Sequence, residues 1–367
     1  MTLAPPAPDP VQSSSTLDRA LAFLRERVAP VANELDRSPH CLREVVREMG
    51  QEGLLGLRCP IAYGGPEMPD EAFRLFQEEA ARASGSFAFL QTQHQSTVAI
   101  LAGNAMPEVK ARVLPTMHDG TRLVGVGFSQ LRRTGDPLVR AKPVSGGYRV
   151  SGHVPWITGH GVFGEFLLGA TLPSGDSLFA IVPLARVAGA VPSEPMRLAA
   201  MESAGTVTME LAELFVSDEQ VAFTKPGSWI RENDLVNIAL QSQFAFGCAR
   251  AGLDVVRREA TKPSKGFLTE YADAMEAELE RCRAETGAAM ADRTEATAEA
   301  RLRLRAWAIE LAVRCGHAAV TASSGAANSA DHPAGRIYRE ALVYTVSAQT
   351  LPIMRATMDR LARRPVD

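Results

Sequence analysis

At 367 residues and 39.4 kDa, with 46% hydrophobic and 22% charged side chains, the chain holds enough apolar material for two or three packed domains or layers. Lys and Arg number 39 against 42 Asp and Glu, a formal net charge of -3 without a basic stripe, which argues against nucleic acid as a partner. No uncharged apolar run reaches about 18 residues, so no membrane span is expected.

Met1 to Thr16 is rich in Pro and Ser and lacks both the basic region and the apolar core of a signal peptide. It reads as a flexible leader over 1–16. From 17 to 120 the pattern is helical. Leu17, Leu21, Leu24 and Val28 share one stripe, Ser15 and Asp18 form a capping box ahead of it, and Pro30 is expected to kink or end the helix. A second helix is expected from Leu42 to Glu52, stopped by Gly53. Pro60 to Pro69 reads as a loop, and Asp70 to Ser84 as a helix carrying Phe73, Phe76 and Ala80.

The character changes over 121–229. Short extended runs at Tyr148–Val150, Phe166–Leu172, Leu178–Leu184 and Thr206–Phe215 lie between turn signals, which predicts a small, mostly antiparallel, barrel-like β domain. Over 230–367 the pattern is helical again. Leu235 to Arg258 contains no Pro. Leu268, Tyr271, Met275, Leu279 and Cys282 recur every three or four residues, as do Leu304, Trp307, Leu311 and Cys315. Such amphipathic helices bury their stripes against one another, so a bundle is expected.

The five cysteines (Cys41, Cys59, Cys248, Cys282, Cys315) are scattered without a CxxC pair and read as buried free thiols in a reducing cytoplasm. The seven histidines show no HExxH or paired spacing, so no metal site is expected. His94 lies in the run Gln91-Thr92-Gln93-His94-Gln95, inside an otherwise apolar helix. That run reads as the lining of a polar substrate cavity or as a satisfied buried network. Phe128-Ser129-Gln130 and Val154-Pro155-Trp156-Ile157-Thr158-Gly159 allow two readings as well. They are β core, or a wall for a flat conjugated ligand with Trp as the apolar face and hydroxyls along the edge. No GxGxxG opens a βαβ unit, so a Rossmann domain is not supported.

LLGLRCPIAYGG (54–65), VLPTMHDGTRLVGVGFSQL (113–131), SGHVPWITG (151–159) and IYREALVYTVSAQT (337–350) together resemble the acyl-CoA dehydrogenase superfamily of flavoproteins, over about residues 17–360. The resemblance implies an α+β chain with an N-terminal α-helical domain, a middle β-barrel-like domain and a C-terminal four-helix bundle. It implies FAD between the β domain and the bundle, and a homodimer or homotetramer in which FAD reaches a neighbouring subunit. Carried over, Phe128 and Ser129 touch the flavin, Trp156, Ile157 and Thr158 pack on its ring, and Thr350 contacts the flavin or its adenosine side. The substrate pocket takes in Gln91, His94, Tyr344, Ser347 and Gln349. An acyl thioester, on coenzyme A or an acyl-carrier-protein-like partner, is the implied substrate, with an electron-transfer or reductase partner.

The family's reaction also requires a carboxylate to take the α proton. Where the family writes YEGT this chain has Ser347-Ala348-Gln349-Thr350, and alanine accepts no proton. Where other members place the base, counting back from Gly247 gives Asn237. Glu232 is the nearby alternative, with helix capping as its other role. Glu340 matches an acidic position that the family uses structurally. Pro263 and Gly266 stand where an RxxFG segment contacts pyrophosphate, Thr321 and Ser324 replace the Gln and first Gly of QxxGG, and Arg132-Arg133 follows an altered TEP motif. Arg257, Arg258, Lys262 and Lys265 are substitute phosphate neighbours or a solvated cluster. Three functions follow: an FAD-dependent oxidoreductase acting on an acyl thioester with an atypical site, a flavin monooxygenase or N-oxygenase that needs no α-proton base, and a non-catalytic flavin or thioester binder.

Overall fold

The computed structural model describes the backbone of residues 10–363 and the side chains of residues 15–363. Six helices come first: α1 (Pro10–Phe23), α2 (Ala32–Leu35), α3 (Pro39–Gln51), α4 (Asp70–Ala83), α5 (Gly85–Asn104) and α6 (Pro107–His118). The strands are β1 (Val124–Gly127), β2 (Val139–Val144), β3 (Gly147–Thr158), β4 (Glu165–Thr171), β5 (Ser177–Pro183), β6 (Ala190–Pro192), β7 (Thr206–Ser217) and β8 (Val221–Lys225). Helices α7 (Trp229–Asn237), α8 (Ser242–Ala260), α9 (Leu268–Ala289), α10 (Ala298–Ser323), α11 (Pro333–Val346) and α12 (Leu351–Leu361) follow.

Local chemistry accounts for most of these boundaries. The Ser38 hydroxyl accepts from Cys41 N–H to cap α3, Pro39 presets its first turn, and Leu42, Val45, Val46 and Met49 bury one face. Ser84 caps α5 in the same way. The capping box expected at Ser15 is absent: Ser15 lies inside α1, which already runs from Pro10 among the described residues. Residues 10–16 of the expected leader are thus helical, and residues 1–9 lie outside the described residues. Pro30 has no N–H to donate, so the helix widens over Leu24–Val28, tightens over Ala29–Val31 and resumes as α2.

The run expected as one helix from Leu235 is broken between α7 and α8. Arg301 Nη2 takes the Leu235 carbonyl at 2.9 Å, the acceptor that a continuous helix would offer to the Ala239 N–H. Arg132 holds Asp234 by two bonds of 2.7 and 2.8 Å, which pins α7 to the sheet side of the break.

The sheet order is β6-β7-β3-β2-β4-β5-β8, with β1 pairing parallel to β4. β2 also meets β4 in parallel at Arg140 and Thr171, and the other pairs are antiparallel. The expected barrel-like closure is overturned: β6 and β8 each pair on one side only, so the sheet is open. Its two edges are blunted instead of joined. Met106 N–H, at the start of α6, donates to Ala222 O of β8 at 3.2 Å, and three-residue β6 ends in Pro192, which has no N–H to extend a ladder.

Helix α10 lies against α8, α9, α11 and α12, and α4 crosses α8. One apolar core runs from α1 and α3 through the sheet to the C-terminal helices, and a second fills the space between α5, α6 and the β5–β8 side of the sheet. Helix α5 passes between the two cores and is buried on nearly every side, so its polar residues must find partners inside the protein.

Candidate functional site

The end of β3 and the turn after β1 are brought together by glycine. A Cβ at Gly125 would come within 3.2 Å of Thr158 O, and one at Gly127 within 3.4 Å of Ile157 Cγ1. Phe128 and Ile157 are buried, and Phe128 meets the Phe179 ring edge-on at 5.5 Å. Phe179 in turn packs with Phe223 and Trp229, so the turn rests on an aromatic floor. Thr158 Oγ1 lies 3.0 Å from Thr206 Oγ1, and Ser129 is half-buried.

Trp156 differs from its neighbours. Its side chain is 49% exposed, so it is not part of the β core. A half-exposed indole on the strand that ends at Thr158 is a flat apolar wall, which fits an isoalloxazine ring. The fit is poorer for the pyrophosphate. Lys262 and Lys265 both pair with Glu259, at 2.7 and 2.6 Å, and hold its carboxyl down to about 2. Arg257 pairs with Asp273 and Glu276. Arg132, besides its bonds to Asp234, lies over the Phe128 ring at 5.9 Å. Ser324 has φ +54, a conformation that glycine enters freely and that costs another residue about 1–3 kcal/mol.

The loop between α11 and α12 carries Ser347, Ala348, Gln349 and Thr350. Ala348 is exposed at φ +50, and the Thr350 side chain accepts from Ile353 N–H as the cap of α12. Tyr344 is 2% exposed, stacks on Phe244 at 5.8 Å, and its hydroxyl has no hydrogen-bond partner among the described residues. Burial raises its pKa well above the usual value, so it is neutral. Asn237 donates to Asn233 Oδ1 at 3.1 Å. Glu232 is exposed in the first turn of α7. Among the described residues no hydrogen bond, ion pair or ring contact joins the Trp156 strand to this loop.

Helix α5 resolves the polar run. Gln95 accepts from Leu57 N–H at 3.0 Å and donates to Leu54 O at 2.8 Å. Gln91 donates to Gln77 Oε1 at 2.6 Å, while its own side-chain oxygen is buried without a partner among the described residues. His94 Nε2 donates to Met117 O at 2.8 Å, so Nδ1 is the acceptor of Val124 N–H at 3.0 Å. Both ring nitrogens therefore serve backbone groups of α6 and β1.

Burial outweighs the two backbone bonds and lowers the His94 pKa below its ordinary 6.5, so the imidazole is neutral. An unfolded chain takes up this proton below pH 6.5 and the folded one does not. The corresponding stability is complete above that pH and is lost as the pH falls toward the folded value. Relative to His94→Gln, the wild type is expected to lose roughly 1.4 kcal/mol per pH unit in this window. Urea unfolding of both proteins at neutral and mildly acidic pH reads the slope, and parallel curves would refute a neutral buried histidine.

Two features escaped the sequence reading. The Arg132–Asp234 latch joins segments 102 residues apart and leaves no local trace. Arg301 and Arg305 occupy the buried face of α10 with Ala308, Ala312 and Cys315, and an arginine pair at i, i+4 on an apolar face is a signal that could have been read.

Residues 13–121 match the model of the acyl-CoA dehydrogenase N-terminal domain. Over 142 residues the chain is 30% identical to the mitochondrial isovaleryl-CoA dehydrogenase of Pongo abelii, covering 37% of this chain and 34% of that one. Over 209 residues it is 27% identical to the mitochondrial 2-methylacyl-CoA dehydrogenase of Solanum tuberosum, covering 54% and 50%. The match thus spans about a third to a half of these curated relatives. The fold agrees more widely: butyryl-CoA dehydrogenase from Megasphaera elsdenii superposes with a TM-score of 0.80 at 18% identity, covering 99% of this chain and 100% of that one. No helix of the described residues is long and apolar enough to cross a membrane. The chain thus has the fold of the acyl-CoA dehydrogenases over nearly its whole length, and its N-terminal helices match their N-terminal domain in sequence.

Proposed function

We propose that the protein is an FAD-dependent oxidoreductase acting on an acyl thioester, in a site without the loop carboxylate that usually takes the α proton. The observation that carries this reading is the half-exposed Trp156 beside Ile157 and Thr158, an aromatic wall that the β core does not use. Bound there, FAD would supply the acceptor for the electron pair leaving the substrate. The chain's part is positional. Trp156 backs the ring, Phe128 sets the depth of the slot, the Ser129 and Thr158 hydroxyls meet polar ring atoms, and Thr350 holds the start of α12. Gln91, Tyr344, Ser347 and Gln349 are the polar lining of the substrate side, whereas the His94 nitrogens are already engaged. Ala348 offers no base, and the amide of Asn237 is not one.

A homodimer or homotetramer is part of the same proposal. Tyr338, Leu342 and Val346 on α11 and Leu351, Met354, Met358 and Leu361 on α12 leave two apolar stripes in solvent.

The test is a visible spectrum of the purified protein with added FAD, followed by anaerobic mixing with a panel of acyl-CoA thioesters. Bleaching of the long-wavelength flavin band supports the proposal. Flavin that ignores thioesters but consumes O₂ once reduced supports oxygenation instead. A protein that takes up no flavin is a non-catalytic binder.

A further inference from the structure

The loop Ser347–Thr350 lies over a buried guanidinium. Arg305 of α10 is 1% exposed. Its Nη2 donates to Tyr344 O at 3.3 Å and to Ser347 O at 3.4 Å, two carbonyls at the end of α11. Its Nε and Nη1 have no hydrogen-bond partner among the described residues. Among the described residues no carboxylate pairs with it, and burial lowers its pKa to about 9, leaving it charged at neutral pH.

Arg301, one turn earlier on α10 and equally buried, makes the contrast. It gives four bonds, to Asp292 O, Thr297 Oγ1, Leu235 O and Thr294 O, as a structural arginine should. Arg305 gives two long ones. A buried cation with idle donors and no counterion is costly, and an incoming anion relieves that cost.

A second feature of the loop has the same sign. The 11-residue helix α12 begins at Leu351, capped by Thr350, so the positive end of its dipole meets the loop that Arg305 underlies. Above it, Ala348 is exposed and carries only a methyl group, so nothing anionic on the loop competes. Tyr344 adds a buried hydroxyl with no partner among the described residues.

We infer that the space beneath Ser347–Thr350 receives an anion through Arg305, and that the substrate is an acyl thioester whose acyl chain ends in a free carboxylate. This rests on the thioester reading above and narrows it to a dicarboxylic acid monothioester. Arg305 forks two N–H groups toward the carboxylate, and the Tyr344 hydroxyl donates to one of its oxygens.

Glutaryl-CoA and valeryl-CoA share a five-carbon acyl chain and differ in a terminal carboxylate against a methyl. Titration of each into the FAD-saturated protein by calorimetry is expected to give at least about tenfold tighter binding of glutaryl-CoA. Arg305→Gln also removes the cap on α11, so Ala348→Glu carries the assignment to this loop. That carboxylate is expected to pair with Arg305 and bring the preference to about one, with valeryl-CoA binding unchanged. Equal affinities in the wild type, or a preference that survives Ala348→Glu, overturn the inference while the thioester reading stands. Binding of neither thioester overturns both.

Discussion

Gly247→Ala is expected to lower the free energy of unfolding by about 3 kcal/mol, because it forces two helices apart. The added Cβ would lie 2.0 Å from Glu78 O and 2.8 Å from Arg82 N, both backbone atoms of α4 that cannot swing aside. The separation also opens a buried charge. Glu78 is 1% exposed at this crossing and is held by Arg250 at 3.0 Å and Arg283 at 2.8 Å. Water entering there weakens an interaction whose strength depends on its exclusion. Gly266→Ala is the control, since a Cβ there meets nothing within 4 Å. Urea unfolding of the three proteins decides it, and a Gly247→Ala midpoint equal to that of the control would show that the crossing is looser than its geometry.

Glu340→Ala is expected to cost about 3–5 kcal/mol, the larger of the two effects. The carboxylate is fully buried on α11, and its Oε1 accepts the Gly85 N–H at 2.9 Å and the Arg336 guanidinium at 2.7 Å. It thereby ties the first turn of α5 to the C-terminal bundle. Burial outweighs the Arg336 charge and holds this carboxyl above the usual carboxylate range. Alanine removes the acceptor and leaves Arg336 charged, buried and without its Glu340 partner. Glu340→Gln keeps an acceptor for Gly85 and is expected to cost only about 1–3 kcal/mol. If the two variants unfold at the same denaturant concentration, the acceptor kept by Gln contributes nothing and the whole loss belongs to the charge. Gly85 could not be larger at this junction, because a Cβ would come within 2.5 Å of Glu340 Cδ.

These two sites differ in how far they could be anticipated. Glu340 stood in a recognisable stretch, and its structural role followed from resemblance. Gly247 served only as a counting mark, since a helical glycine becomes a close approach only when the crossing helix is known. The same holds at the end of β3. Trp156 and Thr158 were identifiable as residue types, but a strand pattern does not say which face of an open sheet another element covers, and Trp156 proved half-exposed. Arg257 read as open charge because its acidic partners, Asp273 and Glu276, lie on the next helix, and Lys262 and Lys265 because both turn back onto Glu259 at the end of α8. His94 read as cavity lining or network, and only the positions of Met117 O and Val124 N–H assigned its nitrogens.

Side-chain period, capping residues and prolines act over a turn or two, so the α3, α4 and α9 helices, the β3–β5 and β7 strands and the helix–sheet–helix order were all legible along the chain. Hydrogen-bond acceptors, counterions and sheet edges are supplied from far away. Met106 blunts β8, Arg301 breaks the run after Leu235, Asp234 claims Arg132, and nothing among the described residues claims the idle Nε and Nη1 of Arg305. A backbone or charged group buried on folding must be satisfied by whatever the packing brings near it, and no local pattern records which distant residue that is.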